Sequence, residues 1–368
     1  MTPFEITGQR LQQQLLAGNS FDMPEAVVQW QGAVQSQDYA GAKWGLGLRL
    51  KSATDEIIEE AFTNGTILRT HVLRPTWHFV APADIRWMLM LTAPRVNALN
   101  AYQYRNCELD EATFTRSFNV LERALQGGKH LTRDELRIEF QQAGIDTSDL
   151  RMTHLMMRAE LDGIVCSGAR RGKQFTYALL EERVAPAKSY TRDEALIELA
   201  TRYFSSRGPA TLQDFVWWSG LSMTDAKRGI EVVKTKFVSQ VIDGQTYWLS
   251  DSAAGLPAKK NPTTAHLLPN YDEYFIGFKD RSALTLSLQS LQKDVLLTGL
   301  SAHIIVLDGQ LVGGWKRTLK KNAVELELSP LRPLSKNEQV AVKRAAEQYR
   351  KFLQLPVNLT WHNNQTEA

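Results

Sequence analysis

Cysteine is nearly absent from this chain. Its 368 residues include two, Cys107 and Cys166, with no Cys-x-x-Cys pair and no Cys/His cluster. That excludes a disulfide scaffold and a cysteine-built zinc site, and it fits a reducing compartment. Long apolar runs are missing as well. No segment approaches the roughly 18 consecutive apolar residues of a membrane-spanning helix, and the Gln-rich N-terminus lacks the apolar stretch of a signal peptide. A cytoplasmic location with no membrane partner is therefore expected. Charge of one sign is also in short supply: 43 Lys and Arg face 40 Asp and Glu, a net charge of +3. So small an excess does not argue for a nucleic-acid partner, and the placement of the cations has to decide. Finally, there is no Gly-rich phosphate loop, no GxSxG, no HExxH and no kinase signature set. No cofactor and no metal are expected.

What is present is a plan that recurs. Residues 5–17 read as a helix with Ile6, Leu11, Leu15 and Leu16 toward a core. Pro24–Gln31 reads as a short helix stopped by Gly32, Ala33–Gln37 as a turn, and Tyr39–Leu50 as a helix capped by Asp38. Asp55–Phe62 is a further helix. Two β-rich runs follow, Thr66–Thr70 and Thr76–Val80, joined across Val72–Pro75. Helices followed by a two-stranded wing is the plan of a winged helix-turn-helix. Residues 83–106 read as a helix pair broken at Pro94.

The plan returns with helix Phe118–Leu125, a capping box at Thr132–Glu135 opening Glu135–Gln142, and a helix from Ser148 to Leu161. Its hairpin is Ile164–Cys166 and Phe175–Leu179 around the tip SGARRGK. It returns again with capping boxes at Thr191–Glu194 and Thr211–Asp214, a third helix from Ser222 or Thr224 to about Val233, and a hairpin turning at Asp243–Gly244. From Asn261 the pattern changes. The stretches LLPNYDEYFIGF, AHIIVLDGQLVGGWKRTL, AVELEL and VNLTW read as strands with a helix Ser335–Leu353, a small α+β or β-barrel-like domain in which Trp315–Lys321 reads as a basic loop. The fold expected is α+β: three tandem winged-helix units over 1–110, 111–188 and 189–258, then a β-rich C-terminal domain over 259–368.

Cations gather at three turns: Arg69, His71 and Arg74; Arg170, Arg171 and Lys173; Lys316, Arg317, Lys320 and Lys321. If the tips point one way, they line one surface and grip a duplex backbone; otherwise they are solvated loop charges. Lys43 and His78 are assigned to DNA with them, although a lone His on a strand among apolar neighbours also suits a structural role. Trp44, Trp77, Tyr271 and Asp272 are candidates for lining a pocket. Tyr271 and Asp272, with Asp280 and Arg281, fit an interdomain ion-pair knot equally well. Gln35 and Gln37 stand two apart, so in an extended stretch both amides point the same way. A glutamine is no general base, but its carbonyl oxygen can hold a water or steady a developing cation. Read plainly, the same two residues in a helix-turn-helix turn contact bases, phosphate or water.

VQSQDYAGA, LRTHVLRPTWHFVAPADIRWML and LLPNYDEYFIGFKDR resemble the winged-helix DNA glycosylases of the AlkZ and YcaQ type, and the matches with their intervening wings span most of the chain. The resemblance implies a concave DNA cleft and excision of N7-alkylated purines, with interstrand crosslinks unhooked by some members. The family's catalytic element is Gln-apolar-Gln, or Gln-apolar-Asp in the YcaQ branch. Here it falls on Gln35 and Gln37, with polar Ser36 between them, and the second Gln places the chain nearer the AlkZ branch. Asp38, one step late, reads as a cap. With no Lys matched at the motif, the resemblance implies monofunctional hydrolysis by a monomer acting on double-stranded DNA with alkylated bases. The rival readings are a winged-helix transcriptional regulator without chemistry and an interaction protein without DNA affinity.

Overall fold

The computed structural model describes residues 1–18, 21–250, 263–286 and 303–362. It is a mixed α+β fold. Helix α1 (Pro3–Gln13) leads in. A first unit follows: α2 (Pro24–Gln31), β1 (Ala33–Gln35), α3 (Tyr39–Gly47), α4 (Asp55–Asn64), β2 (Leu68–His71) and β3 (Trp77–Val80). The stretch expected as a turn contains a strand. β1 joins the hairpin as a third antiparallel strand, in the order β1-β3-β2. Three residues are too few to show a two-residue alternation, and this sheet is buried on both faces. Ala33, Leu68 and Val80 face one core, and Val34 and Phe79 face another. α3 stops at Gly47, short of Leu50, which forms an isolated bridge with Phe21 instead.

Helix α5 (Pro82–Asn106) runs unbroken through Pro94, where a helix pair was expected. Proline removes one helical hydrogen bond and crowds the preceding turn. Here Ala93 and Val96, on either side of it, pack on Met157 and Leu161, and that contact keeps the two halves in line.

The second unit is α6 (Glu111–Leu125), β4 (Leu131–Thr132), α7 (Arg133–Gln142), α8 (Arg151–Leu161), β5 (Val165–Ser167) and β6 (Thr176–Leu179), followed by the single turn α9 (Leu180–Arg183). The third is α10 (Arg192–Arg207), β7 (Ala210–Thr211), α11 (Leu212–Ser219), α12 (Met223–Val233), β8 (Phe237–Ile242) and β9 (Gln245–Ser250). All three units share one order, helix–strand–helix–helix–hairpin, and in each the first short strand pairs with the last. The capping boxes at Thr132, Thr191 and Thr211 form, as does the Ser222 cap. Ser148 does not cap α8; its hydroxyl bonds Asp146 while the helix starts at Arg151. Asp243 and Gly244 both take positive φ, 47° and 74°, which the tight hairpin turn requires.

The C-terminal part comprises β10 (Ala265–Leu268), the short helix α12's successor α13 (Glu273–Ile276), β11 (His303–Leu307), β12 (Gln310–Leu319), β13 (Val324–Pro330), α14 (Lys336–Leu353) and β14 (Val357–Trp361). Its sheet is open, ordered β10-β11-β12-β13-β14, with the last pair parallel. LLPNYDEYFIGF is therefore mostly not strand. Pro269 follows the last strand residue, Tyr271 has a φ of 60°, and Asp272 caps α13. Trp315–Leu319, expected in a loop, lies in β12 paired with β13. The 258/259 boundary lies outside the described residues. One core joins the first unit to the C-terminal sheet, through Val34, Trp44, Leu267, Ile305 and Tyr349. A second joins the first unit to the third, through Ala33, Leu68, Leu199 and Trp218. β1 sits where the two meet.

Candidate active site

In the second and third units the residue that ends the first strand is also the N-cap of the next helix: Thr132 and Thr211. The first unit departs from this. β1 ends at Gln35, and Ser36 and Gln37 intervene before Asp38 caps α3 by accepting from the Gly41 N–H at 3.0 Å. Gln35 therefore closes the strand and Gln37 ends a two-residue excursion, at a strand–helix corner that is tight in the other two units.

Gln35 is 8% exposed and pairs across the sheet with His78. Its backbone N–H donates to Glu273 Oε1 at 2.9 Å, and its side-chain Oε1 accepts from Arg74 Nη2 at 3.1 Å. Ser36 is fully buried. Its N–H donates to the Trp77 carbonyl at 2.8 Å, and its own carbonyl accepts from Arg69 Nε and Nη2 at 3.2 and 3.1 Å. Gln37 is exposed, and its Oε1 accepts from the Trp77 backbone N–H at 3.5 Å. Hairpin β2–β3 thus supplies a donor to each of the three residues. The glutamines themselves take different partners, Gln35 facing inward to Arg74 and Gln37 outward beside Trp77.

Two residues that the sequence reading did not single out hold the strand from behind. Arg207 donates to the carbonyls of Gln31 (2.7 Å) and Ala33 (3.1 Å), and to Glu273 Oε2 at 2.7 Å. The same Oε2 accepts from Trp218 Nε1 at 2.9 Å. A charged Arg at the end of an apolar helix and a Glu inside the aromatic run DEYF were the available signals, but neither says which partner it meets.

Several expected site residues turn out to be structural. Lys43 is buried, its ammonium 2.7 Å from both Asp55 and Glu59, so it does not reach a phosphate. Trp44 is core, its indole N–H donating to the Leu267 carbonyl. Asp272 makes a two-pronged buried pair with Arg49 at 2.8 Å in each prong, an ion pair between units rather than a pocket wall, while Arg281 bonds the Phe275 and Lys279 carbonyls instead of joining it. His71 is buried against Glu160 of α8 and lies 4.4 Å, ring to ring, from Trp77. Arg69 is buried, stacked 4.4 Å over Trp77 and 4.7 Å over Phe175. Burial pushes its guanidinium down to about 10, which leaves it charged at neutral pH. His78 is fully buried, and burial, with Arg74 beside it, holds its ring neutral well below the usual imidazole value. None of these three offers an open charge to a duplex.

The remaining cations differ in availability. Arg170 lies 3.6 Å from Glu59 and stacks over Tyr39 and Phe175. Arg171 is exposed but pairs with Glu135 at 2.7 Å. Arg317 reaches Asp38 and the Tyr349 hydroxyl. Lys173 and Lys316 are exposed. Arg74 is partly buried, and desolvation lowers its pKa while the Glu273 carboxylate opposes the shift. Trp77 and Tyr271 are partly exposed. Among the described residues no group of His, Cys, Asp and Glu is arranged to hold a metal ion, and no helix is long and apolar enough to cross a membrane.

The chain is similar to proteins already characterised. The profile described as "DNA glycosylase AlkZ-like" matches residues 28–352. An interstrand DNA cross-link repair glycosylase from Streptomyces sahachiroi is 23% identical over 332 residues, covering 85% of this chain and 87% of that one. The solved structure of the Streptomyces sahachiroi DNA glycosylase AlkZ superposes with a TM-score of 0.78 at 21% identity, over 98% of this chain and 100% of that one.

Proposed function

This chain belongs to the AlkZ-like DNA glycosylases, and from that premise we propose that it hydrolyses the N-glycosidic bond of cationic N7-alkylpurines in double-stranded DNA, with Gln35 and Gln37 at the reaction centre. The observation that carries this reading is the two-residue excursion after β1. It sets two carboxamide oxygens at a corner where the N–H groups of Gln35 and Ser36 and the Ser36 carbonyl are already bonded.

The chemistry suits neutral amides. Excision of a neutral base needs an acid to protonate the leaving group. An N7-alkylguanine already carries a positive charge and leaves unaided by a proton. The protein then has only to steady an oxocarbenium-like sugar and aim a water at C1′, which fixed carbonyl oxygens do. The carboxylate that meets Gln35, Glu273, is engaged by Arg207, Trp218 and the Gln35 N–H. The amine of Lys43, on the helix that follows the motif, is held between two carboxylates. Both facts favour hydrolysis without a Schiff base and without strand cleavage.

In this reading the three repeated units act as winged helices around a concave DNA cleft, as a monomer in the cytoplasm. Lys173 and Lys316 meet the phosphates. A crosslinked purine cannot be flipped freely from the stack, so an open cleft that reaches the lesion in the groove also accommodates crosslinks. The similarity to a Streptomyces sahachiroi glycosylase of interstrand cross-link repair supports that extension.

The test is a duplex carrying N7-methylguanine, incubated with the protein, treated with alkali and resolved for cleavage at abasic sites, with a gel shift alongside. Gln35→Ala and Gln37→Ala are each expected to lose about 3 kcal/mol of transition-state stabilisation, roughly 10²-fold in rate, while keeping duplex affinity. Undiminished base release by the double variant overturns the assignment. Operator-specific binding with no base release identifies a regulator instead.

A further inference from the structure

The strand pairing that positions Gln35 places two more polar side chains on the same face of the sheet. Gln35 on β1 stands opposite His78 on β3, which stands opposite Thr70 on β2. Directly opposed residues share a face, with Cβ atoms about 4.5–5.5 Å apart. The three form one row across the sheet. His78 and Thr70 are both fully buried.

The row is polar but unfinished. Among the described residues, His78 Nε2 and Thr70 Oγ are buried and have no hydrogen-bond partner. Buried polar atoms are rarely left so. The tautomer of the imidazole follows from its other nitrogen. Nδ1 lies 2.9 Å from the Thr76 carbonyl, which can only accept, so Nδ1 carries the proton and Nε2 of the neutral ring is a bare acceptor. At the far end of the row, Arg74, which can only donate, holds Gln35 by its oxygen. The carboxamide nitrogen is thereby turned away from Arg74, and an acceptor-only nitrogen stands across the strand from it.

We propose that His78 is a positioning residue for Gln35: with Thr70, it holds the Gln35 amide nitrogen through one bridging water, while Arg74 holds the amide oxygen. Such a water has three polar partners, enough for a buried site. It donates to His78 Nε2 and accepts from the Thr70 hydroxyl and the Gln35 NH2. The carboxamide is then fixed from both ends. Without the acceptor, a half-turn of the amide presents NH2, the wrong pole, to a developing sugar cation. This inference rests on the assignment of Gln35 to the reaction.

Two substitutions at one position separate this role from a structural one. In His78→Asn the side-chain NH2 retains a donor near the Thr76 carbonyl but offers nothing where Nε2 was. In His78→Gln the longer side chain places a carbonyl oxygen near the Nε2 position and gives up the Thr76 contact. Single-turnover excision from an N7-methylguanine duplex, duplex Kd and the thermal midpoint are measured for both, for Thr70→Val and for Gln35→Ala. His78→Asn and Thr70→Val are expected to slow the chemical step roughly 10- to 100-fold at unchanged duplex Kd, the range typical of small misplacements of a reacting group. His78→Gln is expected to stay close to wild type. The opposite order, Asn tolerated and Gln not, shows that the ring matters only for its Thr76 contact and overturns the proposal. If wild type excises, Gln35→Ala does not and His78→Asn matches wild type, this inference alone fails. An inactive wild type, or an active Gln35→Ala, removes the underlying reading and this one with it.

Discussion

Arg207 and Glu273 close an ion pair at 2.7 Å with side chains 0% and 1% exposed, directly behind the strand that ends in Gln35. Each also bonds that strand or its approach: Arg207 the carbonyls of Gln31 and Ala33, Glu273 the N–H of Gln35. The third unit and the C-terminal part therefore grip one short element of the first. Leaving either charge buried without its partner costs about 3–5 kcal/mol. Glu273→Ala is expected to lower the urea-unfolding free energy by that amount and to reduce excision at temperatures where the variant is still folded. A variant with unchanged stability shows that β1 is held by other contacts.

Arg69 acts on the motif from the opposite side, donating two hydrogen bonds to the Ser36 carbonyl while stacked on Trp77. A lysine cannot reproduce the planar fork or the stack. Arg69→Lys is expected to slow excision about tenfold, equivalent to about 1.4 kcal/mol, with the gel-shift midpoint unmoved. A change confined to DNA affinity assigns Arg69 to phosphate instead.

The cations sort by exposure, and the salt dependence of duplex binding reads that sorting. Lys173→Ala and Lys316→Ala are each expected to reduce the slope of log K against log salt by about 0.9, one released counterion apiece. Lys43→Ala is expected to leave the slope alone and to lower folding stability by about 1–3 kcal/mol, because Asp55 and Glu59 lose their shared donor. Equal slope changes for all three contradict the buried placement of Lys43.

His266 contributes to the acid limb of stability, as do the similarly depressed His78 and His303. Burial, with Arg49 nearby, takes its pKa from the usual 6.5 down to about 4. Between those values the unfolded chain binds a proton that the folded chain refuses. Stability is therefore intact above pH 6.5 and falls as the pH drops toward 4, by up to about 1.4 kcal/mol per pH unit from this group. His266→Gln is expected to flatten the pH dependence of the urea midpoint between pH 6.5 and 4, whatever its effect at pH 7. An unchanged slope removes His266 from the acid limb.

Much of this protein is written locally. Helix starts at Thr132, Thr191, Thr211 and Ser222 need only a side chain that reaches the backbone N–H three residues on, and Asp243–Gly244 needs only two residues that tolerate positive φ. These depend on neighbours in sequence, so the α+β class, the recurring helices and hairpins, and the Gln35–Gln37 motif could be read from the chain. Burial could not. Lys43, Arg69, His71 and Asp272 have the composition of surface charges, and each lies inside because a partner distant in sequence, or an aromatic ring, meets it there. Pro94 continues a helix for the same reason, since packing on Met157 and Leu161 outweighs a local preference to break. The strand carrying Gln35 is the clearest case. Three residues have no periodicity to read, and only the pairing with β3 and the grip of Arg207 and Glu273, contributed from more than 170 and 230 residues away, make it a strand and set the direction of its last side chain.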